Sequence, residues 1–163
     1  MKRGLLILLC VLLCVACKRP TPFSEVPYIE FVGIEKVDNG TGVDDQADLT
    51  LYFHDGDGDI GLESSDTTGH FSKDSTFYYN LFIHYYEKQH GEWVLVDLPT
   101  PLHARLPYLS HDLPESIEGN ITITTFINNY YSPYDTIKLS CQLVDRALHT
   151  SNIVETPEII VRK

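Results

Sequence analysis

Three aspartates alternate with glycine in the stretch FHDGDGDIGL, residues 53–62. Asp55, Asp57 and Asp59 are two residues apart, the spacing at which side chains of an extended chain share one face. Carboxylates gathered this way push one another's pKa up unless a cation neutralises them. An all-oxygen ligand set suits calcium, which takes roughly 6–8 oxygens from carboxylates, backbone carbonyls and water. The interleaved Gly56, Gly58 and Gly61 leave carbonyls open to such an ion. No cysteine cluster or paired histidine spacing accompanies the loop, which disfavours zinc. The alternatives are another metal, or a tight Asp-Gly turn whose charges are solvated or paired to Arg146.

Positioning these acids falls to strands. Segments 28–37, 47–53, 77–88, 92–97, 120–127, 136–144 and 158–162 carry period-two or β-branched patterns, and no long stretch has helical periodicity. Gly33 is a predicted bulge point in the first. Seven strands with turn-rich connections predict an all-β chain, an antiparallel immunoglobulin-like or fibronectin-like β-sandwich, with a small eight-stranded barrel as alternative. The second strand turns Ala47, Leu49, Leu51 and Phe53 inward, and the sixth does so with Ile137, Leu139, Cys141 and Leu143. Carried onward, these parities aim Asp55, Asp57 and Asp59 from one strand and Asp145 from the other at the axis of the sandwich. The loops after strands two and six meet at one end of an immunoglobulin-like sandwich, so Asp145 is a predicted fourth metal ligand.

Other residues give weaker signals. Tyr78, Asn80, Phe82, His84 and Tyr86 fall on the outer face of the third strand, an aromatic candidate surface for a protein or a glycan, or one that the proline-broken segment 99–120 covers. Tyr130 and Tyr131, in INNYYSPY (127–134), have the polar-aromatic composition of adaptable binding loops and also of structural turns. His54 has outward parity. It is nonetheless the one candidate base for a metal-dependent hydrolase using the Asp55, Asp57 and Asp59 loop, the alternative to a non-enzymatic role. Cys141 has core parity, which predicts an inert thiol. No nucleophile elbow or phosphate loop is present, and no catalytic residue is assigned.

The chain holds 12 Lys+Arg against 23 Asp+Glu. That balance argues against nucleic acid as a partner. Lys2 and Arg3 precede eleven apolar residues, Leu5–Val15. Such a run is shorter than the roughly 20 residues of a membrane span and has the form of a secretory signal peptide. KRPTPFSEVP (18–27) reads as an extended tether. Only Cys141 lies in the domain beyond Cys17, which leaves no intramolecular disulfide to form there.

Several resemblances follow from these motifs. Leu13, Ala16 and Cys17 resemble the lipobox of bacterial lipoproteins, with Cys14 standing where leucine is usual. That likeness implies lipidation at Cys17 by a diacylglycerol thioether and a further acyl chain such as palmitate. It divides the chain into a signal peptide (1–16), a lipidated cysteine and tether (17–26) and a sandwich domain (27–163). The aspartate loop partly resembles EF-hand and dockerin loops, but Ile60 stands where those need glycine. The segment 143–159, with Asp145, Ala147, Ser151 and Asn152, looks like the end of bacterial immunoglobulin-like or cadherin-like repeats. Asp66-Thr67-Thr68, Asp74-Ser75-Thr76 and Asp135-Thr136-Ile137 resemble O-glycosylation acceptors of some Gram-negative bacteria. Taken together, DGDGDIGL and DRALHTSN resemble a family of uncharacterised Gram-negative bacterial lipoproteins. The resemblance implies a sandwich anchored in the cell envelope, most naturally the outer membrane. The expected protein is therefore a calcium-stabilised, non-enzymatic module that presents loops to a protein or glycan partner.

Overall fold

The computed structural model describes residues 23–109 and 116–163. The signal peptide and the Cys17 anchor lie outside the described residues. None of the described helices is long and apolar enough to cross a membrane.

The domain is an antiparallel β-sandwich. One sheet has the order β1 (Tyr28–Lys36), β2 (Gln46–Asp55), β5 (Ile117–Phe126). The other has the order β4 (Glu92–Val96), β3 (Leu81–Gln89), β6 (Thr136–Leu143), and β6 carries two short edge pieces, β7 (Val154–Glu155) and β8 (Ile159–Ile160). With β1 as A, this is the A-B-E and C′-C-F-G arrangement of an immunoglobulin-like sandwich. Two separate sheets replace the alternative of a closed barrel.

Alternation explains the core. Ala47, Leu49, Leu51 and Phe53 of β2 are buried, as are Ile137, Leu139, Cys141 and Leu143 of β6 and Leu81, Ile83 and Tyr85 of β3. Burying one such side chain stabilises the fold by about 1.5–3 kcal/mol. A bulge falls where expected, since Phe31 faces Leu51 and Gly33 faces Thr50, leaving Val32 as the extra residue. Burial pushes the Cys141 thiol up to about 12, in keeping with an inert core residue.

Four boundaries differ from the sequence pattern. First, β3 starts at Leu81, because Thr76–Tyr78 form a 3-10 turn and Asn80 leaves the outer face. Asn80 is buried, its Oδ1 accepting the Leu106 N–H at 2.6 Å. Second, Phe77 and Tyr79 are consequently half-buried rather than core. Third, β5 begins at Ile117, because β2 runs on to Asp55 and offers it partners there. Fourth, the last strand is shortened from 158–162 to Ile159–Ile160, and a further short strand, Val154–Glu155, precedes it. Thr156 takes the Leu139 N–H on its hydroxyl at 3.0 Å, and Pro157 has no N–H to continue the ladder.

Candidate metal centre

Asp55 is the last residue of β2 and keeps the inward direction of Phe53, so its carboxylate is buried just beyond the apolar core. The chain then turns back on itself. Asp55 Oδ2 accepts the Asp59 N–H at 3.0 Å, which closes the loop around the intervening Asp57. One carboxylate oxygen each from Asp55, Asp57 and Asp59 lies within 4.8 Å of the other two, a group able to hold a metal ion. The Oδ1 atoms of all three are buried and have no hydrogen-bond partner among the described residues. Buried, unpaired carboxylate oxygens are costly without a cation or a proton.

The turn after β6 is fastened to this loop. Ala147 N–H donates to Asp59 Oδ2 at 3.0 Å, and Arg146 N–H donates to the Asp59 carbonyl at 3.3 Å. Asp145 is buried beside the cluster, as the two parities require. It is a neighbour of the three-oxygen group and not a member of it. Its Oδ1 accepts the His149 N–H at 2.7 Å, and its Oδ2 meets His149 Nδ1 at 2.9 Å. Lone pairs remain on both oxygens for an ion.

The electrostatics are those of crowded acids. Burial first, then the charges of Asp57 and Asp59, raise Asp55 to about 7. Burial, then Asp145 and Asp57, raise Asp59 to about 6. Burial also raises Asp145, against the pull of His149, and Asp145 in turn raises His149. Arg146 does not relieve the crowding. Its guanidinium pairs with Asp66, Nη1 to Oδ2 at 2.5 Å, and lies over the Tyr108 ring. No Lys or Arg forms an ion pair with Asp55, Asp57 or Asp59 among the described residues.

Two close backbone approaches hold the loop. Gly56 N–H donates to the Ser24 carbonyl at 2.8 Å, and a Cβ at Gly56 would stand 2.3 Å from the Phe23 carbonyl oxygen. Gly61, at φ +97°, would put a Cβ 2.2 Å from the Pro107 carbonyl oxygen. The end of the tether and the 98–109 segment thus clasp the loop from two sides.

The remaining candidate residues disperse. His54 projects from the opposite face of β2 to Asp55, stacked on Phe23 and Tyr28 at 4.2 and 5.0 Å between ring centroids. Tyr78 packs under Arg105, Tyr86 under Lys138, and Phe82 and His84 meet the His103 ring edge-on. The outer face of β3 is therefore partly covered by 99–109, as one of the two expectations had it, with His84 left exposed. Tyr130 and Tyr131 lie in the β5–β6 loop at the other end, Tyr130 donating its hydroxyl to Asp45 before β2. The aromatic residues do not make one surface. His149 and the Ser24 carbonyl were not legible as parts of the centre. His149 is brought in by a turn four residues long, and Ser24 by a contact across 32 positions of sequence.

Fold and site together define an antiparallel β-sandwich with an oxygen-only, cation-competent acidic cluster where the β2–β3 and β6–β7 loops meet. No protein-family model matches the chain, and no curated protein or solved structure is significantly similar to it.

Proposed function

We propose that this chain is a cell-envelope lipoprotein anchored through Cys17, a non-enzymatic sandwich in which calcium locks the β2–β3 loop to the β6–β7 turn. The observation that carries the reading is the set of three buried, unpartnered Oδ1 atoms with no Lys or Arg paired to them among the described residues. Asp145 adds a fourth negative group beside them. Calcium is favoured by the all-oxygen set and by the loose geometry a glycine-rich loop allows.

On this reading the tether would bring the acidic cluster toward the membrane. Ser24 packs on the aspartate loop, and the seven residues from Cys17 to Phe23 reach at most roughly 25 Å when extended. The calcium end would then face the membrane, and the Tyr130–Tyr131 end would face outward toward a protein or glycan partner.

Thermal melting of the full chain in detergent, with EDTA and then with 10 mM calcium at pH 7.5, tests the lock. For a Kd of about 10⁻⁴ M the ion contributes about 2.7 kcal/mol, a rise in Tm of roughly 8 °C. No rise refutes the lock. Incorporation of labelled palmitate, lost in Cys17→Ala, tests the anchor separately.

A further inference from the structure

The loop between β1 and β2 carries Asp38, Asn39, Gly40 and Thr41, at the end of β2 away from the acidic cluster. Of the chain's asparagines, Asn39 is the one followed by glycine. Both residues are exposed. Gly40, at φ +74°, has nothing within 4 Å of where a Cβ would stand, so its nitrogen is flanked by open space. Asn39 Cγ and the Gly40 nitrogen are separated only by Cβ, Cα and the main-chain carbon. A bond between them closes a five-membered ring, and rotation about two single bonds is all that closure needs.

Each group that takes part in such a closure has a partner placed on it. The Gly40 N–H, the attacking group, donates to Asp38 Oδ1 at 2.9 Å, within the reach of a general base. Asn39 Oδ1 gains negative charge as Cγ becomes tetrahedral. It accepts the Thr41 N–H at 2.9 Å and the Thr41 hydroxyl at 2.6 Å, two donors aimed at a developing oxyanion. The nitrogen that would depart, Nδ2, donates to Asp45 Oδ2 at 2.6 Å. Two other asparagines are held differently. Asn152 accepts the N–H of Ile29 on Oδ1 and donates Nδ2 to the carbonyl of the same residue, both at 2.9 Å. Asn80 treats Leu106 the same way, at 2.6 and 3.5 Å. Their amides are tied to a distant segment, and the next nitrogen in each case belongs to a bulky residue, Ile153 or Leu81.

We infer that Asn39 is a self-modification site, which the loop converts to aspartate and isoaspartate through a cyclic imide. The Gly40 nitrogen attacks Asn39 Cγ, forming the N–Cγ bond while its proton passes to Asp38. The Cγ–Nδ2 bond then breaks, and the departing nitrogen takes that proton and leaves as ammonia. Water opens the ring. Its hydroxyl adds to Cγ, giving aspartate, or to the main-chain carbon, giving isoaspartate, and its proton returns to the Gly40 nitrogen. Either product loses the Nδ2 donor and gains a negative charge beside Asp45. Asp45 also holds the Tyr130 hydroxyl on its other oxygen, so the contact between this loop and the β5–β6 loop is where the new charge falls. Like charges there push the β1–β2 loop away from Asp45.

The test incubates the full chain in detergent at pH 7.5 and 37 °C for several weeks. Tandem mass spectrometry of the peptide between Lys36 and Lys73 reads the replacement of amide by acid at residue 39. Conversion should run several-fold faster in the folded chain than in the same chain unfolded in guanidinium chloride, because only the fold sets Asp38 and Thr41 on the reacting atoms. Asp38→Ala and Thr41→Val should each slow the folded chain several-fold and leave the unfolded rate unchanged. Both residues are exposed, so both variants should keep the wild-type Tm. Asn39→Gln should show no conversion, and Asn80 and Asn152 should stay intact in the wild type. Hydrogen exchange over residues 38–45 should be several-fold faster in Asn39→Asp than in fresh wild type. No conversion in the folded chain, or a folded rate no higher than the unfolded one, overturns the inference. So does a folded rate that neither Asp38→Ala nor Thr41→Val moves. Unchanged exchange in Asn39→Asp would overturn the loosening of the loop.

Discussion

Asp44 lies just before β2 and Asp55 ends it, and both carboxylates are buried. Asp44 is surrounded by the protein's own cations. Arg162 donates Nε and Nη2 to Oδ1 at 2.9 and 2.7 Å, and its N–H reaches Oδ2 at 2.8 Å. Lys36 Nζ adds a bond at 2.6 Å. The Arg162 side chain above all, then Lys36, holds Asp44 well below the usual carboxylate range. Asp55 has like charges for neighbours and is raised to about 7. Lys and Arg surround Asp44, whereas among the described residues none pairs with Asp55, Asp57 or Asp59, and His149 reaches only Asp145. That contrast is the physical ground for assigning the missing charge to a bound ion.

Removing Arg162 should break the contrast most visibly. Arg162→Leu leaves Asp44 buried with only Lys36, and differential scanning calorimetry should show Tm lower by at least roughly 5 °C, whether calcium is present or not. Asp55→Asn should do the reverse in EDTA, raising Tm by roughly 3 °C as repulsion is relieved, while shrinking the response to calcium. Gly56→Ala forces the Phe23–Ser24 backbone off the loop. It should lower Tm by a few degrees and weaken calcium binding several-fold, read by the same melts.

The pH dependence sharpens the comparison further. Asp55 and Asp59 have folded-state values of about 7 and about 6, against 3.8 for an ordinary aspartate. Between those limits the folded state holds more protons than the unfolded chain, so stability falls as pH rises from about 4 through about 7. Without calcium, Tm should decline across that window. With calcium the decline should flatten or reverse, because the ion replaces the protons. At pH 5 the gain from calcium should be much smaller than at pH 7.5. The smallest effect is expected at Arg146→Ala, whose partly exposed pair with Asp66 contributes at most about 1 kcal/mol. A large loss of calcium binding there would mean that the Arg146–Asp66 bridge helps shape the centre.

Much of this was legible because β2 and β6 each bury one face completely. Their alternation fixed where Phe53, Asp55, Leu143 and Asp145 would point, and the immunoglobulin-like order brought the two ends together. Alternation failed where side chains serve a neighbour's backbone. Asn80 sits where an outward residue was expected because it bonds Leu106, and the unexpected edge strand Val154–Glu155 ends where Thr156 takes a backbone N–H. The clamp of Ser24 on Gly56 has no local pattern at all. It arises from segments that meet only in the folded chain.

Equilibrium dialysis of the EDTA-stripped full chain against radioactive calcium at pH 7.5 tests the acidic cluster most directly. The account predicts about one ion per chain, with a Kd between about 10⁻⁵ and 10⁻³ M. It also predicts that binding is abolished when Asp55, Asp57 and Asp59 are changed together to asparagine. No bound calcium at 10 mM, or the same binding after all three carboxylates are removed, would contradict it.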